Sequence, residues 1–262
     1  MGFLNDPFNR VNGAQFTTGL FNLIVDQQPQ VFTGITKMIV GGEALSEAHA
    51  ARYMARFPEA TLFNGYGPTE NTVDTTHADL TDWEPGSAAS IGRPIGNTTV
   101  FVVDKHLAQV PVGIPGQLVT GGDGLARGYY NKAGLTADRF IPNPFASEAT
   151  GGERLYQTGD LVRYHFDGKL EFLGRIDDQV KLRGFRVELG EIANALMELE
   201  AVHKAIAIIH TDAQGERRIA AYATSDEPLE VQDLLTAIKD RLPHYMLPAS
   251  LTVMEEFPLR TG

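Results

Sequence analysis

The sequence predicts an α/β architecture that passes into α+β. Its expected parts are a mixed or parallel sheet with helices, a small β-barrel or folded sheet, and a small α+β lobe at the C-terminal end. Three observations carry this. Before Ile91, short apolar runs alternate with helix-period stretches; after it, short strands and tight turns take over; beyond Gly174 the order β-α-β-β-α-β emerges.

The elements follow in chain order. Thr36–Val40 is an apolar strand ending in Gly41-Gly42. Ser46 is placed to cap a helix, EAHAARYMARF, whose inward stripe is read as Ala48, Ala51, Met54 and Ala55, with His49 on the solvated face and Pro58 as the stop. Thr61–Phe63 is a second strand, and NGYGPTEN is read as the loop after it. Thr98–Asp104 and Gly116–Thr120 are strands, and Leu161–Leu173 is a hairpin turning on the two residues Asp167-Gly168. Gln179–Leu182 is a short strand, followed by a helix over Glu188–Leu199 with Ile192, Ala195, Leu196 and Leu199 on one face. Strands Ala205–His210 and Ile219–Thr224, a helix marked by Val231, Leu234, Leu235, Ile238 and Leu242, and a strand Leu251–Met254 complete the order.

Composition narrows the chemistry. Among 262 residues there is no Cys, which removes disulfides, iron–sulfur clusters, thiolate zinc sites and cysteine nucleophiles together. With 22 Lys+Arg against 33 Asp+Glu, the net charge is −11, and no basic run offsets it. Nucleic acid is therefore not an expected partner, and neither is an anionic membrane. No apolar stretch reaches a membrane span, and MGFLNDPFNR lacks the charged start and apolar run of a signal peptide, so a cytoplasmic location is expected. The His residues form no HExxH or i,i+4 pair.

The 27 glycines cluster. The dense segments are Gly41–Ala44, Asn64–Glu70, Gly121–Tyr129, Thr158–Asp160 and Gly174–Glu191. NGYGPTE offers backbone amides, an aromatic face, a hydroxyl and a carboxylate within seven residues. Glycine admits a ligand close to the backbone, Tyr66 can stack on a planar base, Thr69 can bond a phosphate oxygen, and Glu70 can hold Mg²⁺. The same residues also suit a plain turn with a cap. In Thr158-Gly159-Asp160 the carboxylate can accept both hydroxyls of a ribose, or serve as a strand-entry turn. Neither a Walker phosphate loop nor a GxGxxG after a strand is present.

Taken in order, GGEAL, NGYGPTENT, IGRPIGN, GQLVTGGDGLARGYYNK, TADRF, RLYQTGDLVR, DGKLEFLGRIDDQVKLRGFRVELGEI and LPHYMLP resemble the adenylation domains of nonribosomal peptide synthetases, within the adenylate-forming superfamily. The resemblance implies a partial large lobe over 1–176 and a small mobile lobe over 177–262. It implies that Tyr66 stacks on adenine, with Asn64, Gly42, Glu43 and Ala44 near its edge. Thr69 would stand by the α-phosphate, Glu70 by Mg²⁺, Asp160 at the ribose hydroxyls, Phe172 near the nucleotide and Arg175 at the ribose or phosphate. Asp177 matches the hinge, and Lys181 with Gly184 the small-lobe face that meets the site. The implied reaction is ATP-dependent amino-acid activation, then thioester loading onto a carrier-protein phosphopantetheine. Partners would be the amino acid, a peptidyl carrier protein, other synthetase modules and, for some members, a small activator protein.

Matching by motif spacing gives a substrate pocket of Gln15, Ile39, Gly41, Gly65, Val73 and Asp74. The glycines leave room, and Gln15 and Asp74 supply polar groups, so glutamine or glutamate is the expected substrate. Two family parts have no match here: the Ser/Thr/Gly-rich phosphate loop ending in Pro-Lys, and the lysine expected after Glu256–Gly262. The expectation is thus a piece of a longer polypeptide, inactive alone. The alternatives are a piece of an acyl- or aryl-acid CoA ligase, or a non-catalytic nucleotide-binding remnant.

Overall fold

Five strands form the first sheet: β1 (Gly13–Thr17), β2 (Lys37–Gly41), β3 (Thr61–Tyr66), β4 (Thr76–Asp79) and β5 (Arg93–Pro94), in that order across the sheet. The computed structural model describes residues 11–87, 89–146, 153–177, 179–182, 185–211 and 217–258; Gly184 lies outside them. β1, β2 and β3 run parallel, β4 pairs antiparallel with β3 and β5 antiparallel with β4, so the sheet is mixed. The parallel pairs need crossovers, supplied by α1 (Thr18–Gln27) with a one-turn 3-10 helix at Pro29–Phe32, and by α2 (Glu47–Arg56).

Burial alternates along β2: Met38 and Val40 are buried under the helices, while Lys37 and Ile39 are not. On α2 the inward stripe is Ala50, Tyr53, Met54 and Phe57, which corrects the reading that placed Ala48 and Ala55 inside; both are exposed. The reason is size. Tyr53 packs edge-on against Phe32 at 5.4 Å and against Phe21 at 5.4 Å, and one buried aromatic outweighs a row of alanines. Ser46 occupies the N-cap position, yet its side chain makes no cap bond; Oγ lies 2.6 Å from His49 Nδ1. His49 in turn reaches Asp26 at 3.2 Å, where Arg52 also sits at 2.7 Å. His49 therefore ties α2 to α1 instead of facing solvent alone.

The second sheet is antiparallel, ordered β10-β9-β7-β6, from β6 (Thr98–Val103), β7 (Gly116–Gly122), β9 (Arg154–Tyr164) and β10 (Leu170–Arg175). Between β7 and β9 lie α3 (Ala133–Arg139) and β8 (Phe140–Pro142), the latter paired with β9. Of the two expected forms, this segment takes the folded sheet: β6 and β10 are its two ends, and an isolated bridge from Gly92 to Leu170 leads toward the first sheet. Its hairpin does not turn on two residues. His165 N–H bonds Lys169 O at 2.8 Å and Gly168 N–H bonds His165 O at 2.9 Å. Only Gly168 (φ +77°) has positive φ, whereas a two-residue Asp-Gly turn needs it at both positions.

The chain divides into two units, Met1–Asp177 and Asp178–Gly262. The second holds a hairpin of β11 (Gln179–Leu182) and β12 (Phe185–Glu188), then α4 (Leu189–Met197), β13 (Lys204–Thr211), β14 (Arg217–Thr224), α5 (Val231–Lys239) and β15 (Ser250–Met254). β14 pairs antiparallel with β13 and parallel with β15. Ile192 and Leu196 of α4 and Ile238 of α5 are fully buried with Ala223 of β14. β1, α1, β4, β5, α3, β8 and β12 were absent from the sequence reading, being too short or lacking a clean period. Among the described residues, no helix is long and apolar enough to cross a membrane.

One core residue yields a test. The Tyr53 hydroxyl is buried with no hydrogen-bond partner, and burial pushes its phenol up to about 12. Its contribution to stability is intact below the ordinary tyrosine value near 10 and is lost as pH rises toward 12, because only the unfolded chain ionises in that window. Tyr53→Phe should raise stability at neutral pH by about 1 kcal/mol and shrink the alkaline loss, read by urea unfolding at both pH values. A clear destabilisation would contradict the unpartnered hydroxyl.

Candidate functional site

The site collects at the carboxyl ends of β2 and β3, where parallel strands habitually present ligands. Gly41 ends β2 directly beside Gly65 of β3. A Cβ on Gly41 would collide with the Gly65 carbonyl, so the close approach of β2 to β3 requires glycine here. Gly42 follows with φ +94°, which suits only glycine. The turn Gly41–Ala44 is held from below by Thr18, whose Oγ lies 3.2 Å from Gly41 O and 3.1 Å from Glu43 O.

NGYGPTE is half strand. Asn64, Gly65 and Tyr66 belong to β3, which overturns the reading of the whole motif as loop; Thr69–Asn71 then forms a 3-10 turn. Asn64 is buried and its Nδ2 donates to Ser90 O at 2.8 Å, so its amide is committed to the fold. Gly67 makes room for the chain to double back: a Cβ there would meet Val73 O and would lie 2.7 Å from Thr75 N. Thr75 N–H bonds Tyr66 O at 2.8 Å, and Thr72 and Val73 carry positive φ of 51° and 70°. Thr69 stays exposed while Glu70 is 9% exposed.

Glu70 has a partner that the sequence reading missed. Tyr129 donates its hydroxyl to Glu70 Oε1 at 2.5 Å and lies 3.3 Å from the Tyr156 hydroxyl. Burial first, then the bond to Glu70, raises the Tyr129 phenol, which keeps it a donor. The backbone joins in, with Ala126 N–H bonding Glu70 O at 2.8 Å. The signal was present in GGDGLARGYY, but nothing in the spacing says which of its two tyrosines turns inward; Tyr130 is 91% exposed.

Asp160 gathers the second cluster. It is 5% exposed, Tyr66 donates its hydroxyl to Oδ2, and Arg175 donates to Oδ1 at 2.7 Å. Burial, reinforced by the Asp160 charge, drives the Tyr66 phenol well up. Arg175 also forks onto Asp177, 2.6 Å from Oδ1 and 2.8 Å from Oδ2. A register shift in β10 after Phe172 leaves Leu173 unmatched and sets Arg175 opposite Asp160; without that bulge Arg175 would face Gly159. Gly159 itself has φ +74°, and a Cβ there would sit 2.6 Å from Arg175 Nη2. Phe172 is 40% exposed, with its ring 6.3 Å from that of Tyr66.

The pocket residues come together in part. Gln15, Ile39 and Phe63 stand in one register row, on the sheet face away from the helices. Gln15 Nε2 lies 3.2 and 3.1 Å from the two oxygens of Asp74. The place of a Gly65 Cβ is 2.9 Å from Ile39 Cγ2 and 3.3 Å from Asp74 Oδ1, so glycine lets these side chains pack closely against the strand. Val73 is 59% exposed. His77, unforeseen, places Nε2 3.3 Å from Asp74 Oδ2. Lys181 lies in the second unit, on β11 opposite Arg186.

The fit to a nucleotide and to Mg²⁺ rests on these donors. A buried carboxylate with two donors already on it is a ready acceptor for a diol, and Tyr66 with Phe172 gives a partly open aromatic pair. Glu70 is a hard oxygen donor fixed by Tyr129. Among the described residues no trio of His, Asp or Glu could hold a metal.

Comparison with known proteins follows this geometry. The family described as AMP-binding enzyme matches residues 9–130. Tyrocidine synthase 3 of Brevibacillus parabrevis is 43% identical over 96% of the chain, which covers 4% of that synthase. The chain spans between 3% and 9% of the length of the curated relatives it matches. Among solved structures, holo-PA1221, a nonribosomal peptide synthetase protein containing adenylation and PCP domains bound to a vinylsulfonamide inhibitor, superposes with a TM-score of 0.82 at 32% identity, over 95% of this chain and 42% of that one. Holo-AB3403, a four-domain nonribosomal peptide synthetase bound to AMP and glycine, matches at 34% identity and a TM-score of 0.57, over 99% of this chain and 19% of that one.

Removing one partner of a buried ion pair strands the other charge. Arg175→Leu should therefore destabilise the first unit by about 3 kcal/mol, and adding Asp160→Asn should recover a good part of that. Urea unfolding of the single and double variants checks it; equal losses in both would show that the Arg175–Asp160 pair is not the source.

Proposed function

We propose that the chain is a segment of a nonribosomal peptide synthetase adenylation domain, among the AMP-binding enzymes, and that within a longer polypeptide it activates an amino acid with ATP and loads it onto a carrier protein. The observation that supports this reading best is the convergence of Tyr66, Asp160 and Arg175 beside the Tyr129–Glu70 pair at the strand ends. The AMP bound by the AB3403 relative calls for that set of groups.

In this reading Asp160 takes the ribose hydroxyls, with Arg175 holding the carboxylate in place and able to turn toward phosphate. Tyr66 and Phe172 face the base, and Asn64 and the Gly42–Ala44 turn shape its edge. Thr69, exposed at the turn, donates to the α-phosphate. Glu70 holds Mg²⁺, which when bound neutralises phosphate charge. A carboxylate oxygen of the amino acid forms a bond to the α-phosphorus as the bond to the β-phosphate oxygen breaks, and pyrophosphate leaves. The pantetheine thiol then adds to the acyl carbon, AMP departs, and the thiol proton is lost to solvent. What the chain supplies is position and electrostatics, so no covalent protein nucleophile is needed. Lys181 and the hinge role of Asp177, the last residue of the first unit, belong to the same proposal, as do the large-lobe and small-lobe assignments. A carrier protein and neighbouring synthetase modules are the proposed partners, in the cytoplasm.

For the substrate we favour glutamine or glutamate, because the Gln15 amide and the Asp74 carboxylate meet beside Gly65 as paired polar groups. Amino-acid-dependent ATP–pyrophosphate exchange by the longer protein, run across the common amino acids, should be highest with Gln or Glu. A best response to Leu or Phe would reject the polar pocket, and no exchange with any would reject the activity. The chain alone should give no robust exchange. Tyr129→Phe in the longer protein should raise the Mg²⁺ needed for half-maximal exchange by about tenfold, since it removes the donor that orients a metal-holding carboxylate; an unchanged Mg²⁺ dependence would remove Tyr129 from that role.

A further inference from the structure

His77 has no part in the pocket as matched by motif, yet it sits against it. It lies on β4 directly opposite Gly65, and its Cδ2 is 3.7 Å from where a Gly65 Cβ would stand. Its Nε2 is buried and 3.3 Å from Asp74 Oδ2, while Gln15 reaches the same carboxylate from β1 at 3.1 Å. Phe63 backs the imidazole, with ring centres 6.2 Å apart. Asp74 is thus hydrogen-bonded by Gln15 on one side, and on the other it lies within ion-pair distance of a His77 Nε2 that makes no hydrogen bond among the described residues, beside the one position on β3 where a side chain is missing.

We propose that His77 is a positioning and specificity-determining residue: it balances the Asp74 carboxylate and so sets how the pocket divides between a carboxamide and a carboxylate substrate side chain. The inference rests on the substrate reading above. A carboxamide N–H complements Asp74 whether or not His77 is there. A substrate carboxylate meets a like charge, and only the imidazole, acting with the Gln15 amide, offsets it. Loss of His77 leaves Gln15 alone on Asp74, which penalises glutamate more than glutamine. This requires no rearrangement, because every group named is already in contact across β1, β3 and β4.

The test is ATP–pyrophosphate exchange by the full synthetase with Gln and with Glu, for the wild type, His77→Leu, His77→Asn, Asp74→Asn and the Leu/Asn double variant. His77→Leu should lower kcat/KM for Glu about tenfold more than for Gln. His77→Asn, which keeps a donor, should restore most of the wild-type ratio even if His77→Leu folds poorly. In the Asp74→Asn background the effect of His77→Leu on the ratio should vanish. Equal falls for both substrates, or a ratio that does not move, would overturn the role of His77 while leaving the substrate reading intact. A wild type that activates neither Gln nor Glu would overturn the substrate reading, and this inference with it.

Discussion

The Asp160 carboxylate ties the first sheet to the second. Tyr66, the last residue of β3, donates to one of its oxygens, and Arg175, at the end of β10, donates to the other. At 5% exposure the carboxylate depends on both donors to offset its burial. The neighbouring features serve that arrangement. The Leu173 bulge brings Arg175 opposite Asp160, Gly159 clears the path of the guanidinium, and Thr158 bonds both Leu118 O at 2.8 Å and the Asp160 N–H at 3.0 Å. A small shift in any of them would be felt where Tyr66 faces Phe172.

A second constraint is backbone proximity. Gly41 against Gly65 and Gly67 against the returning 73–75 segment are places where any Cβ would collide with main chain. These approaches fold the chain back over the end of β3 and carry Glu70 to the loop after β7, where Tyr129 and the Ala126 amide receive it. The glycine clustering visible in the sequence is therefore chiefly a packing requirement.

Much of this was legible beforehand, for identifiable reasons. Strands such as Thr98–Val103 and helices such as α4 carry clean periodicity, and the motifs arrive in an order that few folds share. Gln15 and Asp74, 59 residues apart, were both assigned to the pocket by family spacing, and their side chains are hydrogen-bonded. The misses have physical causes too. The α2 stripe was misread because an alanine-rich helix offers two candidate faces, and only the tertiary demand for Tyr53 chooses between them. Tyr129 was overlooked because its partner, Glu70, lies 59 residues away on another element. Asp74 is only three residues before His77, but nothing in that spacing says that the turn into β4 folds them together. At Gly41, space for a ligand and space for a backbone look alike in one dimension.

The pleat of β3 has one more consequence. Successive residues of a strand point to opposite faces, so Gly65 and Tyr66 serve different neighbours from adjacent positions. Gly65 opens toward Ile39, Asp74 and His77, whereas Tyr66 reaches Asp160. The two clusters are thus one peptide bond apart and are stitched again by the Thr75–Tyr66 backbone bond. A change in the grip on Asp74 acts on the segment whose next residue, Thr75, holds the Tyr66 carbonyl. The Asp74 contacts and the Tyr66–Asp160 cluster are thus connected through one stretch of backbone, and substitutions near Asp74 should be chosen to preserve the register of β3 with β4.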